Sequence, residues 1–114
     1  MRASHVFAGI HVSDLAEAVA WYERLAGRAP DLVPNEREAA WRMSDSGWLC
    51  LIADRQRAGA AQHTILVDDL DAAVAGIEAR GIAAGPVEQV APGTRRVRLS
   101  DPDGNSVAIA QAGD

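Results

Sequence analysis

Two stretches of the chain superimpose when one is shifted by 55 positions: Val12-Ser13-Asp14-Leu15 falls on Val67-Asp68-Asp69-Leu70, and Ala18-Val19-Ala20 on Ala73-Val74-Ala75. In 114 residues this leaves room for two copies of one unit and little else. A unit of about 55 residues buries too little apolar surface to be robust alone, so the copies are expected to share a core and form one domain. We place the first copy at about residues 4–54, a linker at 55–61, and the second copy at about 62–112.

Each copy opens with an alternating run, His5–Val12 and Gln62–Val67, in the two-residue period of a strand. Each run then meets an Asp and becomes helical. Asp14 suits an N-cap because its carboxylate can accept from the free amides of the first turn, and Glu17 follows three residues on as in a capping box. Leu15, Ala18, Val19, Tyr22 and Leu25 form one apolar stripe, which Gly27 ends. In the second copy Asp69 caps, Leu70, Ala73, Val74 and Ile77 form the stripe, and Gly81 closes it. Three shorter strand-like runs follow each helix: Ala29–Val33, Glu38–Ser44 and Trp48–Ala53, then Pro86–Val90, Thr94–Ser100 and Ser106–Gln111. Asp45-Ser46-Gly47 and Asp101-Pro102-Asp103-Gly104-Asn105 separate the last two of each set and read as tight turns. The fold class is therefore α+β, βαβββ twice, with each helix on one face of a four-stranded sheet. A ferredoxin-like domain would need a helix between its second and third strands, which the repeat does not offer.

Charge narrows the partners. All eleven basic residues are Arg, against sixteen acidic ones, for a net charge of −5 with no basic stripe. That balance disfavours nucleic acid and anionic membrane surfaces. The longest apolar runs fall far short of the roughly 20 residues of a membrane span, and Met1–His5 leads into a strand pattern rather than a signal region. The single Cys50 cannot form an intrachain disulfide. These features together predict a cytoplasmic protein.

Val12-Ser13-Asp14-Leu15 with Trp21-Tyr22 and Leu25-Ala26-Gly27, Val67–Ala73 with Ala79-Arg80-Gly81, and Asp101–Asn105 resemble the vicinal oxygen chelate superfamily, which includes glyoxalase I, extradiol dioxygenases and bleomycin-resistance proteins. The resemblance implies mixed curved sheets enclosing a cavity, helices outside, and a cleft closed by pairing modules, often across two chains. It also implies where a metal would bind. Metal-using members carry a His five residues before the Val that precedes each helix, and a carboxylate or Gln on each module's last strand. Those positions are Phe7, Gln62, Cys50 and Ala108 here. Phe and Ala supply no ligand atom, and one Gln with one Cys is a poor remainder for a divalent ion. No metal and no cofactor are expected. His63 lies one residue from the Gln62 position, and that offset turns it to the other face.

Strand parity selects the remaining candidates. Val6, Ala8, Ile10 and Val12 are expected to face the first helix, leaving His5, Phe7, Gly9 and His11 on the open side. Trp48, Cys50 and Ile52 share the open face, while Leu49 and Leu51 face the helix. Trp21 is assigned to the core. Flat indoles at Trp48 and Trp41 suit stacking on planar or cationic ligands. Val97 and Leu99 alternate with Arg96 and Arg98, which reach the cavity if the apolar pair lies under the helix. The candidate ligand-binding set is Phe7, His11, Trp41, Trp48, Cys50, Gln62, Thr64, Arg96, Arg98 and Ala108. The resulting expectation is a metal-free homodimer of the drug-resistance type that binds a small hydrophobic or aromatic molecule. The alternative is an enzyme of the same superfamily, a lyase, isomerase or dioxygenase, with a non-standard or absent metal site.

Overall fold

The structure is a computed structural model and describes residues 1–113. Its first half runs β1 (Val6–Val12), α1 (Leu15–Ala26), β2 (Leu32–Asn35), β3 (Glu38–Arg42) and β4 (Gly47–Ala53). The second runs β5 (Gln62–Leu66), α2 (Leu70–Ala79), β6 (Glu88–Ala91), β7 (Thr94–Ser100) and β8 (Ser106–Gln111). Two four-stranded sheets result, ordered β1-β4-β3-β2 and β5-β8-β7-β6. In each, the first strand pairs in parallel with the last and the remaining pairings are antiparallel. The two βαβββ units expected from the repeat are present.

Local chemistry sets the helix limits. Asp14 adopts an extended backbone and its carboxylate accepts from the Glu17 amide at 3.1 Å. Asp69 repeats this with the Ala72 amide at 3.0 Å. Gly27 ends α1 at φ 78°, a left-handed conformation that costs glycine no steric strain. Trp21 is buried in the core as expected, on the stripe of Ala18, Tyr22 and Leu25. One continuous apolar cluster joins Ile10, Val12, Tyr22 and Leu51 of the first unit to Leu70, Ile77, Val97 and Val107 of the second.

The Asp101–Asn105 turn does more than reverse the chain. Asp101 accepts from the Tyr22 hydroxyl at 2.8 Å, and the Asp103 carboxylate takes the Ser13 amide at 2.9 Å together with its hydroxyl. Fully buried Asn105 donates to the His11 carbonyl at 3.1 Å and accepts from the Gly59 and Ala61 amides at 3.1 and 2.9 Å. The turn thus ties the second unit to the end of β1, the start of α1 and the linker. Arg80 adds a tie at the other end of α1, donating to the carbonyls of Arg24 and Leu25.

Edge strands depart most from the sequence expectation. β2 begins at Leu32 and includes Pro34, and β6 begins at Glu88, beyond Pro86. Both are outer strands, where a missing amide is tolerated and the pairing partner sets the register. Among the described residues no helix is long and apolar enough to cross a membrane.

Candidate functional site

The faces turned away from the helices carry the candidate residues in rows that the strand register defines. On the first sheet the rows are Phe7, Trp48 and Arg42, then Gly9, Cys50 and Ala40, then His11, Ile52 and Glu38. On the second they are Gln62, Ser106 and Ser100, then Thr64, Ala108 and Arg98, then Leu66, Ala110 and Arg96, with Glu88 beside Arg96. The opposite faces hold Ile10, Val12, Leu49 and Leu51, and Val97, Leu99, Val107 and Ile109, all in the core. The parity assigned to Phe7, His11, Trp48, Cys50, Arg96 and Arg98 agrees with this arrangement.

The two floors differ in chemistry. On the first, the Phe7 and Trp48 rings stack with centroids 5.5 Å apart and planes 19° apart, although Phe7 remains 56% exposed. An aromatic pair with one ring exposed and the other half-buried offers a flat apolar platform. Half-buried Cys50 lies 3.8 Å from the Glu38 carboxylate, and burial, reinforced by that carboxylate, pushes its thiol above the usual range. This disfavours the thiolate that a nucleophile requires. On the second floor, Glu88 stands between two guanidiniums, 3.3 Å from Arg98 and 3.7 Å from Arg96.

Trp41 is a correction. It shares the helix-side parity of Ala39, is fully buried near Tyr22, and donates its indole N–H to the Arg28 carbonyl at 2.9 Å. It is therefore a core residue, not part of a ligand wall. Alternation alone left the side of Trp41 open, and its pairing with Leu49 decides it. His5 lies exposed ahead of β1 rather than on its open face, and Val6 is 63% exposed although it has helix-side parity. His63 has the predicted opposite parity to Gln62 and pairs with Val107. Burial, partly offset by Asp101, lowers its pKa, so the imidazole is neutral at physiological pH.

Glu88 and Glu38 were missed as members of the open faces. The signal for Glu88 lies in the Pro92-Gly93 turn: Gly93 has φ 73°, and a hairpin closed there sets Glu88 opposite Arg96.

A cavity of about 410 Å³ lies between the units, lined by Val6, Ala8 and Trp48 on one side and His63, Thr64 and Leu66 on the other. Of the candidate set, only Trp48 and Thr64 line it. Phe7, His11, Cys50, Gln62, Arg96, Arg98 and Ala108 lie on the sheet floors outside that cavity. The four positions that the resemblance assigns to a metal hold a stacked Phe, a Gln, a thiol kept protonated and a methyl group, and this donor set does not fit a divalent ion. Among the described residues no three His, Cys, Asp or Glu side chains are grouped to hold one.

A sequence model described as the Glyoxalase/Bleomycin resistance protein/Dioxygenase superfamily matches residues 2–109. The chain belongs to that superfamily. A glyoxalase/bleomycin resistance protein from Catenulispora acidiphila is 37% identical, with a TM-score of 0.90 over 96% of this chain and 99% of that one. TnmS3, an antibiotic-binding protein from a Streptomyces species, is 27% identical with a TM-score of 0.77 over 99% of both chains. A bleomycin-binding protein in complex with bleomycin shares the fold, with a TM-score of 0.78 at 19% identity over 94% of this chain and 97% of that one. No curated protein matches the sequence.

Proposed function

We propose that this superfamily member is a metal-free binding protein that holds a small hydrophobic or aromatic molecule in a cleft completed by a second copy of the chain. The observation that carries the reading is the stack of exposed Phe7 on half-buried Trp48 on an open sheet floor, in place of a metal-ligating pair. TnmS3, an antibiotic-binding protein similar over almost the whole chain, supports a small-molecule ligand. Self-association follows from the edges. β1 and β5 each pair on one side only, and Val6, Phe7 and Leu66 on them are 63%, 56% and 66% exposed. Free apolar strand edges of this kind are normally covered. A symmetric pair of chains, the commonest oligomer, would cover them and bring one open floor opposite another. A cytoplasmic protein that sequesters an antibiotic is the cellular role consistent with this chemistry.

Titration with planar aromatic antibiotics, followed by Trp fluorescence, tests the reading. Saturable quenching is expected, and Trp48→Ala should weaken binding about tenfold, near 1.4 kcal/mol. A folded Trp48→Ala protein that binds every hit as tightly as the parent would refute the site. Stoichiometric zinc, nickel, iron or manganese in protein purified without chelator would refute the metal-free assignment.

A further inference from the structure

The second floor carries a charge pattern that the aromatic platform does not explain. Val97 and Leu99 are buried in the shared core, so the alternation of β7 turns Arg96 and Arg98 together onto the open face. Their neighbours across β8 are Ala110 and Ala108, followed on β5 by Leu66 and Thr64. No bulky side chain therefore stands between Arg98 and the Thr64 hydroxyl. Among the described residues Glu88 is the carboxylate paired with either guanidinium, one oxygen to each. Arg95 points the other way, to Asp71. Two positive charges against one negative leave a local surplus of one, in a chain whose net charge is −5. Arg98 engages Glu88 through Nε at 3.3 Å, and its side chain remains 56% exposed and so open to a ligand.

We infer that this floor selects ligands bearing a single negative charge, a carboxylate received by Arg98 and Arg96 beside Thr64. The inference rests on the binding function proposed above and specifies the ligand class further: a flat apolar body with one carboxylate. The guanidinium fork matches a carboxylate's two oxygens, and a surplus of one charge is balanced by one carboxylate. A phosphate monoester, at about −1.5 to −2 near pH 7, would overfill it.

Calorimetric titration of the intact protein with 2-naphthoate, 2-naphthamide and 2-naphthyl phosphate separates these cases. The parent should prefer the acid over the amide by about tenfold and over the phosphate as well. In Arg98→Gln the acid-to-amide ratio should collapse to within about twofold. In Glu88→Gln, which raises the surplus to two, the phosphate should gain on the acid. An acid-to-amide ratio near one in the parent, with both probes weakened by Trp48→Ala, would overturn this inference and leave the binding site standing. An acid preference that survives Arg98→Gln, or a parent that favours the phosphate, would overturn it too. Failure of both the acid and the amide to bind the parent would remove the aromatic-binding function and this inference together.

Discussion

Tyr22 is the only tyrosine in the chain, so its ionisation can be followed directly. Its fully buried hydroxyl donates to Asp101 at 2.8 Å. Burial first, and the Asp101 carboxylate second, hold the phenol far above the ordinary tyrosine range. A tyrosinate here would be desolvated and would face a carboxylate. The folded protein therefore keeps its proton at a pH where the unfolded chain, with a tyrosine pKa of about 10, loses it. A raised folded-state pKa contributes stability that is fully present below about pH 10 and is lost as pH rises above it. The loss from this one group approaches about 1.36 kcal/mol per pH unit, which accumulates to about 1.4 kcal/mol by pH 11 and about 2.7 kcal/mol by pH 12. Absorbance near 295 nm should show no tyrosinate in the native protein until it unfolds, and its appearance should coincide with loss of the far-ultraviolet circular dichroism. Tyr22→Phe should cost about 1.5–3 kcal/mol at neutral pH, the worth of a hydrogen bond to a charged group. It should also flatten the alkaline decline by the amounts given above. Reversible titration of Tyr22 near pH 10 in protein that stays folded would refute the reasoning, because it would mean that the tie between α1 and the Asp101–Asn105 turn is open to water.

The two floor-strand tryptophans should behave oppositely. Trp41→Ala is expected to destabilise by about 3–5 kcal/mol in urea unfolding, while Trp48→Ala, on the open face, should cost well under half as much. Cys50 should react slowly with iodoacetamide at pH 7 and faster only well above the pH at which a free thiol does, since burial and Glu38 oppose its thiolate. Fast alkylation at neutral pH would show the thiol to be unburdened. Sedimentation at micromolar concentration should give a dimer. A single 12.0 kDa species would argue that the free edges of β1 and β5 are not covered by a second copy.

Much of this protein is legible in the sequence because the signals are local. Asp14 and Asp69 cap helices through amides three residues away, Gly27 stops α1 through its own backbone freedom, and the alternation of β1 and β4 assigns their faces without reference to any partner. The repeat then carries the architecture from one half to the other. What depends on contacts between distant segments was not legible. The side on which Trp41 lies needed the register between β3 and β4, and the starts of β2 and β6 needed their neighbours, since an edge strand has little burial pattern of its own. Asp101, Asp103 and Asn105 read as an ordinary turn. Their partners Ser13, Tyr22 and His11 lie 79 to 94 positions away, and only the packing of the two units brings them together. The same holds for Glu88. Its residue type gave no hint of a site; the Pro92-Gly93 turn marks the hairpin, but only the pairing of β6 with β7 sets Glu88 between Arg96 and Arg98. Short-range hydrogen bonding and periodicity are properties of a sequence, whereas charge balance at a cleft belongs to groups that meet only after the chain has closed.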